Sequence, residues 1–153
     1  MLNPGPERAL RLTRRFAAAP ERVFDAWLDP AQVRLWLIAR PGDEAHTAQV
    51  EAREGGAWSI TTRRSGTDYT ANGVYLEITR PTRLVFTFLM RQVSPNTDTI
   101  TVEIAPDGAG CVLTLTQTGV DIAAELAGLP PGMRGGSELG WGKVFDTLAA
   151  RLG

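Results

Sequence analysis

Apolar and polar residues alternate with a period of two through the middle of this chain. In TRLVFTFLMRQ (82–92), Leu84, Phe86, Phe88 and Met90 fall together, and Val85, Thr87 and Leu89 oppose them. Ile100, Val102 and Ile104 oppose Thr99, Thr101 and Glu103, while Leu113 and Leu115 oppose Thr114 and Thr116. Such alternation marks strands with one buried and one wet face. HTAQVEA, AWSITTRR, DYTANGVYLEITR, TRLVFTFLMRQ, TDTITVEIA and CVLTLTQT thus read as six strands between residues 44 and 119. Short Gly-, Pro- and Asn-rich turns separate them, so neighbours are expected to be antiparallel. A further strand precedes them, with Leu10, Leu12 and Phe16 on one side and Arg14 as the exception.

The pattern changes to a helical one in two places. In AAAPERVFDAWLDP, Pro20 suits a first helical position, and Val23, Phe24 and Trp27 share a face. Asp29 can cap a second short helix that begins at Pro30 and presents Val33, Trp36 and Leu37. Near the end, Trp141, Val144, Phe145, Leu148 and Leu152 form one stripe of a long helix. These periods predict an α+β fold: a curved antiparallel sheet of about seven strands wrapped on a long C-terminal helix, with two short helices after strand 1. Residues 1–7 read as a flexible tail, leaving 8–153 as a single domain. LAGLPPGMRGG (126–136) reads as the loosest region.

The last helix contains an anomaly. Gly135, Gly136, Gly140 and Gly142 crowd its first half, although each helical glycine costs roughly 1 kcal/mol against alanine. Gly140 and Gly142 flank Trp141, and lacking Cβ atoms they would permit close approach of a neighbouring backbone or ring. Two readings stay open: an adaptable lid at a cavity mouth, or plain loop followed by a packing accommodation.

Composition narrows the function classes. The 153 residues carry 43% hydrophobic and 22% charged side chains with a net charge of -1, which argues against a nucleic-acid surface driven by bulk charge. The basic pairs Arg14–Arg15 and Arg63–Arg64 read as solvated surface. Cys111 is the only cysteine, so no internal disulfide is expected. No apolar run is long enough to cross a membrane, no signal peptide opens the chain, and a cytoplasmic protein is expected.

Catalytic motifs fail on inspection. Leu139 stands where a G-x-S-x-G elbow around Ser137 needs glycine. Val144 replaces the Ser/Thr that would follow Lys143 in a phosphate loop. With His46 the only histidine, no metal site is expected, nor any fixed cofactor. His46 with Asp43 and Glu44 makes either a weak acid/base cluster or merely the polar start of a strand. Glu77 and Glu103 alternate to the solvent side, and Glu138 lies on the shoulder of the last helix.

PERVFDAWLDP, Trp36, the Gly55-Gly56-x-Trp58 turn, GVYLEITRPTRLVFTF, TVEIAPDGAGCVLTLTQTG and the final GW-x(6)-L carry a resemblance when taken together in this order. Over about residues 9–152 the chain resembles the family named after the activator of Hsp90 ATPase, in the START/Bet v 1-like superfamily. The resemblance implies the helix-grip fold and an internal cavity between the sheet and the C-terminal helix. Superfamily members hold apolar molecules there, and some are cyclases, aromatases or hydrolase-like enzymes. Stimulation of Hsp90, as the family is understood, also uses a separate N-terminal domain that this sequence does not contain, so a co-chaperone or protein-interaction role is the lesser expectation.

Trp36, Trp58, Phe86, Phe88, Trp141 and Phe145, with Val102 and Leu113, are therefore expected to line a site for a small hydrophobic or aromatic ligand, unless they merely fill a core. Thr62, Gln117 and Ser137 are the candidate polar contacts. The expected functions are carriage, sequestration or sensing of that ligand, or a cyclase- or hydrolase-like reaction in the same cavity. Neither nucleic acid nor membrane insertion is expected, and a homodimer is left open.

Overall fold

The structure is a computed structural model that describes residues 8–40 and 42–152. The expected tail, residues 1–7, lies outside the described residues, as does Gly153. Strand β1 (Leu10–Phe16) leads into helices α1 (Pro20–Leu28) and α2 (Pro30–Val33). Strands β2 (Ala45–Val50), β3 (Ala57–Arg64), β4 (Thr67–Thr79), β5 (Arg83–Phe88), β6 (Asp98–Asp107) and β7 (Gly110–Thr118) follow. Helix α3 (Val120–Ala127) and the long α4 (Gly136–Leu152) complete the order.

The seven strands form one antiparallel sheet, in the order β1-β7-β6-β5-β4-β3-β2. β1 therefore closes against the last strand, far from its sequence neighbours. Leu84 pairs with Val102, Phe86 with Ile100, and Val102 in turn with Leu115. These are the residues that the period of two places on one face, and all of them are buried. Trp141, Phe145 and Leu148 of α4 pack down on them, with Val144 and Leu152 at the margin.

The short helices begin where the sequence signals them. Asp29 Oδ1 accepts from the Ala31 amide at 2.9 Å and Oδ2 from Gln32 Nε2 at 2.9 Å, so one carboxylate caps α2 twice. Trp27 and Trp36 then stack edge to face at 4.6 Å, and Trp36 Nε1 donates to the Ala26 carbonyl. This packing fixes α1 and α2 against each other.

Two of the arginines read as solvated are not. Arg14, at the exceptional position of β1, is half-buried and donates to the Gly142 carbonyl at 3.3 Å and to Asp146 at 2.9 Å. It pins α4 to the edge strand. Arg64 forks onto Asp43, whose side chain is only 1% exposed, at 2.8 and 2.9 Å, and also donates to the Ile38 carbonyl. That fork ties the segment after α2 to β3. Arg15 and Arg63 are exposed as expected, in pairs with Asp107 and Asp68.

Two further expectations need correction. Residues 120–125, to which the sequence patterns assign no element, form with the first two residues of the loose 126–136 stretch the helix α3, anchored by Ile122. In α4, a Cβ placed on Gly140 or Gly142 would meet nothing within 4 Å. These glycines do not serve close approach, because open space lies beside both. Gly135 is the tight one: its Cβ would come to 2.5 Å from Glu125 Oε2.

Candidate functional site

The aromatic hollow under the sheet is filled. Trp141 lies within 6.4 Å, ring centre to ring centre, of Trp27, Phe88 and Phe145. Trp36, Phe145, Val102 and Leu113 are fully buried core. Trp58 and Phe86 border a void of only about 10 Å³, with Trp27, Ile60 and Tyr75 among its other walls. That is room for about one water molecule. Burial pushes the Tyr75 phenol well above its ordinary range, and Trp27 Nε1 beside the same void has no partner within the protein. An apolar guest does not fit here without the rings moving.

The usable room lies at one end of the same interior. A cavity of about 250 Å³ opens between the ends of β5, β6 and β7, helix α3 and the first turn of α4. Phe88, Met90 and Ile122 give it apolar walls. Asp98, Gln117, Asp121, Glu125 and Ser137 give it polar ones, and Val93, Ser94 and Asn96 of the β5–β6 connection complete the rim.

A short hydrogen-bonded chain runs from the core to this cavity. Trp141 Nε1 donates to Gln117 Oε1 at 2.9 Å, and Gln117 Nε2 donates to Asp98 Oδ2 at 2.7 Å. The indole can only donate, so it fixes which end of the Gln117 amide faces Asp98. The other carboxyl oxygen, Asp98 Oδ1, is buried and has no partner among the described residues. Burial pushes the Asp98 carboxyl above the ordinary range. Gln117 pulls it back in part, and the neighbouring Asp121 charge adds to the rise. Gly119 makes this arrangement possible: its φ is +153°, and a Cβ there would overlap Asp98 Oδ1.

Helix α3 is clasped across the cavity at both ends. Asp121 accepts from Asn96 Nδ2 at 2.9 Å, and hydrogen bonds from Ser94 and Asn96 hold its carboxyl below the usual range. Glu125 accepts from Ser137 Oγ at 2.9 Å and from the Ser137 amide at 3.4 Å. Glu125 thus supplies a carboxylate to the first turn of α4, where the helix dipole favours it.

Of the residues predicted for the site, Phe88, Gln117 and Ser137 line the cavity, and Trp141 reaches it through Gln117. Thr62 lies elsewhere, donating to Asp43 and sharing a hydrogen bond with His46 Nδ1. Asp43 there is committed to Arg64, so these three residues act as a structural tie. Glu77 and Glu103 both pair with Arg83, and Glu138 pairs with Arg134 outside the cavity. Asp98 went unread although its signal was present: it stands two residues before Ile100, on the inward parity of β6. Asp121 and Glu125 were missed along with α3.

A single long helix gripped by a curved antiparallel sheet, with a cavity at the helix's N-terminal end, defines the helix-grip class. Within it, the chain belongs to the family described as Activator of Hsp90 ATPase homolog 1-like protein, whose model matches residues 17–153. Among solved structures, a protein of Chromobacterium violaceum is 30% identical, with a TM-score of 0.74 over 94% of this chain and 96% of that one. A protein of Rhodobacter sphaeroides is 22% identical, with a TM-score of 0.79 over 99% and 96%. An Hsp90 activator from Plasmodium falciparum shares the fold at 22% identity, with a TM-score of 0.65 over 94% and 95%. No curated protein matches the chain. Among the described residues, no helix is long and apolar enough to cross a membrane.

Proposed function

We propose that the protein binds a small organic molecule in the cavity between β5–β7, α3 and the first turn of α4. The observation that carries this reading is the cavity-lining Asp98, held on one oxygen by the Trp141–Gln117 chain and left without a protein partner on the other. Folded proteins rarely leave a buried carboxyl oxygen unsatisfied, so this polar wall is not ordinary core packing. At about 250 Å³ the cavity falls just below the roughly 300–1,000 Å³ of drug-sized sites, so the ligand is compact. Phe88, Met90 and Ile122 would hold its apolar part, and the polar wall would orient it. The site is thus more polar than the aromatic residues of the sequence imply.

Asp98 also favours a second reading, in which the cavity is catalytic. A half-buried carboxyl lining a cavity is the kind of group a cyclase- or hydrolase-like general acid would use, and burial shifts Asp98 in the direction that role needs. A co-chaperone role draws only on the family's name and a shared fold, so the cavity reading is preferred.

Titration of isotope-labelled protein with a fragment set of mixed charge tests the binding reading. Amide shifts should concentrate at Asp98, Gln117, Ile122 and Ser137. If no fragment of any charge moves these amides, or if shifts gather around Trp27 and Trp58 instead, the reading fails.

A further inference from the structure

The polar wall of the cavity has one sign of charge. Asp98, Asp121 and Glu125 bring three carboxyl groups to it, and among the described residues no lysine, arginine or histidine lines it. None of the three is paired with a basic side chain among the described residues. Asp121 and Glu125 accept hydrogen bonds only from neutral groups, the Asn96 amide and Ser137, and Asp98 likewise from Gln117. Several acidic groups elsewhere in the fold are treated differently: Asp25, Asp43, Asp68, Asp107 and Asp146 each face an arginine. Asp98 bears the consequence twice, through an oxygen buried without a partner and through repulsion from Asp121.

A positive charge in the cavity would offset the mutual repulsion of these carboxyl groups, since attraction between charges strengthens as water is excluded. Its carrier is not a bare metal ion. Among the described residues, no trio of carboxylate, imidazole or thiol groups is spaced to hold one. The carboxyls are spread around a hollow that also presents the Phe88 ring, the Met90 thioether and Ile122. A ring face attracts an organic cation, and the thioether and alkyl surfaces suit the body attached to it.

We propose that the cavity selects small organic cations, in the form of a protonated amine carried on a compact aromatic or aliphatic body. The proposal rests on the cavity being a small-molecule site. It names the chemical class that site prefers.

Three probes of one shape and different charge test it: 2-phenylethylammonium, 2-phenylethanol and 3-phenylpropionate, followed by amide shifts on the intact protein. The ammonium should bind about tenfold or more tighter than the alcohol at low salt, the scale of one charge-assisted hydrogen bond. The carboxylate should bind weakest, and the gap should narrow as salt rises. Asp98→Asn should weaken the ammonium about tenfold and leave the alcohol within about twofold. If that variant fails to fold, the salt dependence of the wild-type preference decides the matter. Equal or tighter binding of the alcohol or the carboxylate overturns the charge selectivity while leaving the cavity a binding site. Failure of all three probes, and of the fragment set, to shift the cavity amides removes the site itself.

Discussion

Replacing Gly140 and Gly142 together by alanine should stabilise this protein. Both residues lie inside α4, and a Cβ at either would meet nothing within 4 Å. The substitutions therefore bring no clash to set against the gain in helix propensity. Glycine is less favourable than alanine in a helix interior by about 0.8–1 kcal/mol, so the pair should contribute roughly 1.5–2 kcal/mol. For a chain of this size each kcal/mol moves the thermal midpoint by about 2–4 °C, which predicts a rise of roughly 3–8 °C. Urea unfolding followed by circular dichroism gives the free energy directly, and an unchanged slope would show that the surface exposed on unfolding is the same. Gly135→Ala, just before α4, is the comparison that should gain less, because its Cβ would displace the Glu125 carboxylate that holds Ser137. A double variant no more stable than the wild type would refute the reasoning. It would mean that the first half of α4 leaves the helical state often enough for glycine to be useful there.

Two other outcomes follow from polar groups. Gly119→Ala should cost roughly 1–3 kcal/mol from backbone strain alone and should also displace the Asp98 carboxyl; an unchanged urea midpoint together with an unmoved Trp141 indole resonance would contradict this. Arg64 holds the Asp43 carboxyl at about 2 against an ordinary 3.8. Because the folded value is the lower one, the stabilisation is complete above about pH 4 and is lost as pH falls toward 2, for a total of ~2 kcal/mol. Asp43→Asn should flatten the acid limb of stability against pH by that amount, and parallel limbs for variant and wild type would count against it.

The fold was legible because its parts follow from simple periods. Two-residue alternation in β5, β6 and β7 names the buried face, and the Trp141–Phe145–Leu148 spacing names the helix that covers it. Asp29 and Pro30 marked α2 by themselves. Much of the site was less legible, because it is built where those periods end. Asp98 is the first residue of β6, where a polar side chain reads as a turn, although its parity is inward. Helix α3 has eight residues between Gly119 and Gly128, with only Ile122 buried, too short a stripe to stand out. Whether the aromatic hollow was open or filled depended on ring orientations that no linear pattern encodes.

The same carboxylates that line the cavity also tie its walls together. Asp121 keeps α3 on the β5–β6 connection, and Glu125 keeps it on α4. A guest that draws on either one competes with a latch, so the tighter its grip on these groups, the looser the door behind it. If the cavity is a binding site as proposed, such a wiring suits rapid exchange better than long storage.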